Sequence, residues 1–156
     1  MPENPDFQDF MAHLSEDAHA SLRRADEISR GLGSAYIGTE HLLLGLLAQQ
    51  NSMAAKFLEG AGVTMDRARV ALNVAPQALV INLGAKGLSE TAKLTIRMAY
   101  DIAQDYGSDQ TNTEHILYSI LTQRSASATK LLRDNMHVDV DALSTELERF
   151  LNRQQY

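Results

Sequence analysis

The side chains best suited to chemistry belong to a Thr-Glu-His tripeptide that the chain contains twice, at residues 39–41 and 113–115. Its hydroxyl, carboxylate and imidazole are groups that ligand-binding and acid–base sites use. The same order also suits the start of a helix, with the threonine as N-cap, the glutamate in the first turn and the histidine packed between helices. Both interpretations remain open, and they are compatible because a capping group can also bind a ligand.

Neither a metal site nor a hydrolytic site is predicted. Glu16 and His19 have the Glu-x-x-His spacing of helical metal ligands, but Glu90 and Lys93 stand 74 residues later in the related half of the chain, so a solvated salt contact explains the pair better. The chain has no cysteine, and none of its serines lies in a Gly-x-Ser-x-Gly turn. We therefore expect no catalytic residue, no metal and no cofactor.

Composition and charge indicate which cellular compartment and which classes of partner suit this chain. The 20 acidic and 14 basic side chains give a formal net charge of -6, which argues against a phosphate-backbone ligand. The first residues lack the features of a secretory signal, and the longest nearly apolar stretch, Leu42 to Ala48, is far shorter than the roughly 20 residues that cross a bilayer. We expect a soluble cytoplasmic protein with no nucleic-acid or membrane partner.

The chain contains an internal repeat. Residues from Leu14 to Leu58 align without a gap on residues from Leu88 to Leu132, at a constant offset, and about eighteen of the 45 aligned positions are identical. The predicted organisation is an N-terminal extension (1–13), a first repeat (14–73), a linker (74–87), a second repeat (88–151) and a C-terminal tail (152–156). One duplicated unit is the economical explanation.

Helical periodicity predicts four helices in each repeat. Apolar residues recur at three and four positions, and no stretch alternates strictly as a half-buried strand does. Ser15 and Ser89 are predicted to cap the first helix of each repeat, and Thr39 and Thr113 the second. The second helix of the first repeat is apolar enough to form a buried centre. The predicted fold class is all-α, with two tandem four-helix repeats packed with pseudo-two-fold symmetry.

The string YIGTEHLLLGL, from Tyr36 to Leu46, resembles the signature of the Clp N-terminal repeat, which occurs in pairs at the front of ClpA- and ClpC-type AAA+ unfoldases. The resemblance extends from about Leu14 to Leu151. The second copy reads QTNTEHILYSI and departs from the signature, with Asn112 in place of the usual glycine. Because asparagine tolerates a positive φ almost as glycine does, we expect the turn to survive there.

The resemblance implies a protein-binding module without an activity of its own. Such domains collect substrate proteins and adaptor proteins above an ATPase ring that feeds a protease. No Gly-x-x-x-x-Gly-Lys-Ser/Thr phosphate loop occurs in these 156 residues, so we expect no ATP hydrolysis by this chain. The alternative is a regulatory or structural subunit that controls assembly of the Clp complex without binding substrate. In either case we expect a monomer when the domain is alone.

The resemblance also names a ligand. The ClpC branch recognises phosphoarginine through the glutamate of the motif, which corresponds to Glu40 and Glu114 here. Free amides and hydroxyls at helix starts would hold the phosphate. The hydroxyls grouped for this role are Ser15 with Thr39, and Ser89 with Thr113. Asp17 and Thr91 stand where the family commonly has arginine, which removes a cation from each predicted phosphate site.

Overall fold

The computed structural model describes residues 7–74 and 87–154, and within these ranges the chain is built from helices. The predicted all-α fold class is confirmed, since the extended backbone in these ranges is limited to two isolated bridges. None of the described helices is both long and apolar enough to cross a lipid bilayer. The helices are α1 (Phe7–Ala12), α2 (Glu16–Gly31), α3 (Thr39–Ala48), α4 (Met53–Gly60), α5 (Met65–Val74), α6 (Glu90–Asp105), α7 (Thr113–Thr122), α8 (Ser127–Lys130), a π-helix (Leu131–Asn135) and α9 (Val140–Arg153).

Helices α2 to α5 form the first repeat, and α6 to α9 with the π-helix form the second. The predicted caps at the repeat starts are confirmed, because Ser15 Oγ accepts the Ala18 N–H at 3.2 Å and Ser89 Oγ accepts the Ala92 N–H at 3.1 Å. Helix α3 is the buried centre of its repeat, as predicted, since it buries leucines on every side. Its buried leucines are Leu42, Leu43, Leu44, Leu46 and Leu47.

The two repeats are joined by a pair of equivalent parallel bridges, Leu14 with Thr111 and Ile37 with Leu88. In one, the Ser15 N–H donates to the Thr111 carbonyl at 2.9 Å; in the other, the Ser89 N–H donates to the Ile37 carbonyl at 2.9 Å. Adding 74 to the first-repeat residue of one bridge and subtracting 74 from its second-repeat residue gives the two residues of the other bridge. The predicted pseudo-two-fold symmetry is therefore confirmed, and each repeat closes the start of the other's first helix.

The prediction that Thr39 and Thr113 are N-caps is wrong. The N-caps of α3 and α7 are Gly38 and Asn112, and in both cases the histidine side chain completes the cap. The N–H of Gly38 donates to His41 Nδ1 at 2.9 Å, and the N–H of Asn112 donates to the equivalent His115 atom at 2.9 Å. The histidine of the tripeptide thus has the place that glutamate or glutamine takes in a capping box.

The threonine hydroxyls act across the repeat interface instead. Thr39 Oγ1 accepts the Ala128 N–H at 3.0 Å, and Thr113 Oγ1 accepts the Ala54 N–H at 3.3 Å. Both acceptors are buried and both donors lie in the first turn of the third helix of the opposite repeat. Free amides at a helix start need partners, and here the neighbouring repeat supplies them.

Replacing Thr39 with valine should weaken the attachment of α8 to the first repeat. Valine keeps the shape of threonine but leaves the buried Ala128 N–H without its acceptor, so we expect a loss of about 1 kcal/mol of unfolding free energy. Urea denaturation measures the loss, and hydrogen exchange should show faster exchange at the Ala128 amide. Thr64→Val is the control, because Thr64 caps α5 within the same repeat. Unchanged Ala128 protection in Thr39→Val would contradict the cross-repeat role.

The second repeat contains one residue more than the first, and the π-helix accommodates it. Up to Leu58 and Leu132 the repeats align at an offset of 74, whereas Val63 corresponds to Val138 at an offset of 75. The bond from the Val63 N–H to the Leu58 carbonyl, at 2.9 Å, has its equivalent between Val138 and Leu132 at 2.8 Å. A π-helix holds one extra residue within a turn, so the structure after it returns to register.

The predicted N-terminal extension contains a helix that was not predicted, α1. Helix α1 packs on α6, where the Phe10 ring meets the Tyr100 ring edge-to-face at 5.1 Å. Apolar residues at positions 7, 10, 11 and 14 have helical spacing and could have predicted it. The predicted linker, 74–87, lies almost wholly outside the described residues. Helix α9 extends two residues into the predicted tail.

Candidate functional site

Glu40 lies in the first turn of α3 and folds back over Gly38. A Cβ atom added at residue 38 would overlap Glu40 Oε1, so the carboxylate lies directly above this glycine and would have to turn aside for a larger residue. The turn survives in the second copy, as expected, since Gly38 has φ -92° and Asn112 has φ -94°. The reason differs from the expected one, because neither residue has a positive φ and both lie in ordinary extended backbone.

The Glu40 carboxylate lacks a cationic partner. Its nearest basic atom is His41 Nδ1, at 3.4 Å from Oε1, but that nitrogen already accepts the Gly38 N–H and so carries no proton. Burial lowers the pKa of His41 and outweighs the opposite effect of the Glu40 carboxylate, which keeps the imidazole neutral. No lysine or arginine among the described residues forms an ion pair with Glu40, whose side chain is 20% exposed.

The carboxylate lines a cavity of about 390 Å³ that lies between the two repeats. We call it the Glu40 cavity. Helix α3 and its preceding loop contribute one wall, and the starts of α6 and α8 contribute the other. Its lining contains hydroxyls, an amide and one carboxylate but, among the described residues, no basic side chain. The lining residues are Tyr36, Gly38, Thr39, Glu40, Ser89, Thr91, Gln123, Ser125, Ala126 and Ser127.

The cavity combines predicted site residues in a different way from the one expected. Ser89 of the second repeat lies with Thr39 and Glu40 of the first, whereas the sequence analysis grouped Ser15 with Thr39 and Ser89 with Thr113. The structure groups these residues differently because the pseudo-two-fold axis places the start of α6 beside the loop before α3. Thr91, which replaces a cation of the family pattern, also lines this cavity.

The second copy of the site is not equivalent. A cavity of about 300 Å³ is lined by Asp17 and residues 48–52, which correspond to Thr91 and residues 122–126. Of these counterparts, Thr91, Gln123, Ser125 and Ala126 line the Glu40 cavity. Neither Glu114, Thr113 nor Ser15 lines it. Glu114 is also only 6% exposed, compared with the more open Glu40. The two glutamates of the repeated motif therefore differ in access to solvent.

Comparison with known families explains the duplication. The profile of the Clp repeat (R) N-terminal domain matches residues 13–87 and again residues 87–156. This chain belongs to the Clp repeat N-terminal domain family. A ClpA homolog from Guillardia theta, described as an ATP-dependent Clp protease ATP-binding subunit, is 28% identical over 144 residues, which cover 88% of this chain and 17% of that protein. The chloroplastic chaperone protein ClpC1 from Arabidopsis thaliana is 27% identical, over 88% of this chain and 15% of that protein.

Solved structures show the same fold. The N-terminal domain of ClpD from Arabidopsis thaliana superposes with a TM-score of 0.76 at 22% identity, covering 90% of this chain and 99% of that one. A ClpV N-domain in complex with a VipB peptide superposes with a TM-score of 0.75 at 16% identity, covering 97% and 94%. The Clp repeat domain spans only 15% to 17% of the length of the curated relatives named above.

Several lining residues of the Clp repeat domain were not predicted. Tyr36 is 50% exposed at the mouth of the Glu40 cavity, and Gln123 donates from its amide to Thr95 Oγ1 at 2.7 Å. Tyr36 begins the signature string and could have been found there, but Gln123 reaches the cavity only through the packing of the second repeat. Within the described ranges, no group of three or more histidines and carboxylates could hold a metal ion.

Proposed function

We propose that this domain recruits substrate and adaptor proteins to a Clp unfoldase, and that the Glu40 cavity receives a phosphoarginine side chain of the recruited protein. The observation that carries the proposal is the Glu40 carboxylate, which faces a polar cavity between the repeats without a cationic partner among the described residues. A non-catalytic, peptide-binding role agrees with the ClpV neighbour, which is in complex with a peptide. Location in the cytoplasm stays a prediction, because several relatives are chloroplastic.

Glu40 is the member of the tripeptide whose side chain makes no hydrogen bond with a described residue, although its place in the first turn of α3 also suits a carboxylate. Thr39 holds a backbone amide of the opposite repeat, and His41 completes the cap of α3. A part-buried carboxylate without a counter-ion has lost some of its hydration, and a cation from a ligand restores that loss. The planar fork of a guanidinium matches a carboxylate better than a single ammonium does.

The opposite wall supplies donors for a phosphate. The start of α6, a helix of sixteen residues, contributes the Ser89 hydroxyl, the Thr91 side chain and the positive end of the helix. These donors are neutral, since Thr91 stands in place of a cation. The guanidinium contact with Glu40 therefore carries most of the binding, and the phosphate adds a smaller contribution.

Calorimetric titration with free phosphoarginine tests this site. We expect one binding site per chain. Glu40→Gln should lower the affinity more than tenfold, because a hydrogen bond to a charged group contributes on the order of 1.5–3 kcal/mol. Glu114→Gln is the matched control from the second repeat, and it should change the affinity by less than about twofold, because Glu114 lies outside the cavity lining and is nearly buried.

Three other outcomes of the titration would change or contradict the proposal. Equal affinity for plain arginine and phosphoarginine would mean that the cavity reads the guanidinium alone, and the phosphate would be dropped from the proposal. Two sites per chain, with equal losses in Glu40→Gln and Glu114→Gln, would contradict the inequality of the two copies. No binding by a chain with a native circular-dichroism spectrum would leave recruitment to protein contacts elsewhere on the domain.

A further inference from the structure

A separate cavity of about 240 Å³ lies inside the first repeat, between α2, α3 and α5. We call it the Arg69 cleft. It shares no lining residue with the Glu40 cavity. Its apolar lining comes from Ile28 and Leu32 at the end of α2, Leu44 of α3 and Leu72 of α5.

The cleft combines an apolar floor with a charged rim of two arginines and one glutamate, Glu27. Ile28, Leu44 and Leu72 are buried beneath it, while Arg24 and Arg69 are exposed at its edge. Arg24 is paired with Glu27 at 2.7 Å, but Arg69 forms no ion pair with any acidic side chain among the described residues.

The second repeat has different residues at the equivalent positions. Tyr106 and Tyr118 stand where the first repeat has Leu32 and Leu44, and both tyrosines are half-buried. The pKa of each phenol is raised, first by burial and then by the negative charge of the Glu148 carboxylate. After the π-helix, Ser144 corresponds to Arg69. The second repeat thus carries two aromatic rings where the first has two leucines and a cavity with Arg24, Glu27 and Arg69 at its rim.

From this complementarity we propose that the Arg69 cleft binds an exposed segment of a partner protein in which an aromatic side chain stands next to carboxylates. The aromatic ring lies on Leu32 and Leu44, in the space that the tyrosine rings take in the second repeat. The neighbouring carboxylate pairs with Arg69. This binding is independent of the Glu40 cavity, so the two sites can hold different parts of one partner or two partners at once.

Nuclear magnetic resonance of the isotope-labelled full chain tests the proposal with three capped pentapeptides. The probe is Glu-Asp-Phe-Glu-Asp; one control has lysine in place of every acid, and the other has alanine in place of phenylalanine. We expect shifts at Ile28, Leu44 and Leu72 with the probe alone. Arg69→Ser, which installs the residue of the second repeat, should weaken binding about three- to fivefold, as loss of an exposed charge pair does. Arg23→Ser, at an exposed arginine outside the cleft, should not.

A second variant tests the space in the cleft. Leu32→Tyr with Leu44→Tyr gives the first repeat the rings of the second, and this variant should bind the probe at least tenfold more weakly. If this double variant does not fold, Arg69→Ser still tests the proposal, because the Arg69 side chain is exposed and its replacement should not disturb folding. Shifts that are equal for the lysine peptide, shifts confined to the Glu40 cavity, or concentration-dependent shifts in the cleft without peptide would each overturn the proposal. Glu40→Gln should leave probe binding unchanged, which separates this site from the phosphoarginine proposal.

Discussion

Gly45→Ala should lower the unfolding free energy by about 2–3 kcal/mol, although alanine is ordinarily the better helix former. Helix α3 crosses α2 at this residue. A Cβ atom added at Gly45 would overlap the Ser21 carbonyl oxygen and lie 3.2 Å from the Ala25 Cβ. The Ser21 carbonyl oxygen and the Ala25 Cβ are fixed to the backbone of α2 and cannot rotate away, so the two helices must separate. Because α2 and α3 form the most extensively packed helix pair of the described structure, the loss should exceed the gain in helix preference.

Thermal and urea denaturation measure this loss, which corresponds to a fall in Tm on the order of 5–10 °C for a chain of this size. Gly31→Ala is the matched control, since a Cβ at the end of α2 would meet nothing within 4 Å. The second repeat has Ser119 at the position of Gly45, and its Oγ donates to the Thr95 carbonyl at 2.8 Å. The α6–α7 crossing therefore accommodates a Cβ that α2–α3 does not. Equal stability of Gly45→Ala and Gly31→Ala would contradict the close approach.

Acid should destabilise the chain through His115, and His115→Gln should remove that part of the pH dependence. Burial of the fully enclosed imidazole lowers the pKa of His115 from 6.5 to about 4. Its Nδ1 accepts the Asn112 N–H, as the neutral ring can do. The neutral form is therefore favoured in the folded chain. The stability that depends on the neutral His115 is fully present above pH 6.5 and is lost as the pH falls toward 4. The difference between the folded and unfolded pKa corresponds to about 3 kcal/mol.

Urea denaturation at several pH values between 7 and 4 measures this effect. Glutamine can accept the Asn112 N–H as it does in capping boxes, so His115→Gln should match the original chain closely at pH 7. At pH 4 the variant should have lost about 3 kcal/mol less than the original chain. His41→Gln should show an effect in the same direction, because burial also lowers the pKa of His41. Parallel stability curves for all three proteins would exclude the buried imidazoles as the source of acid sensitivity.

Sequence patterns were sufficient for most of the secondary structure. Hydrophobic spacing placed the helices, and the local chemistry of Ser15 and Ser89 identified the caps that begin each repeat. The duplication itself was visible as a constant offset, and from it the pseudo-two-fold packing followed. Features that depend on residues a few positions apart were therefore predictable.

The site was harder to predict because it is made by contacts between repeats. Threonine is a frequent N-cap, so local preference assigned that role to Thr39 and Thr113, whereas their hydroxyls serve helices 89 and 59 residues away in the sequence. The same long-range packing places Ser89, and not Ser15, beside Glu40. Nothing in the local sequence indicates which serine and which glutamate meet.

The π-helix has a consequence for how such a duplicated chain diverges. An additional residue in a regular helix rotates everything beyond it by about 100°. That rotation would turn the apolar face of α9 away from the core. The wide turn at Leu131–Asn135 takes up the extra residue locally, and Asp139 still caps α9 while Leu143 and Leu147 remain buried. After a repeat is duplicated, the two copies can therefore come to differ in length by a single inserted residue and still keep the contacts that pack them together.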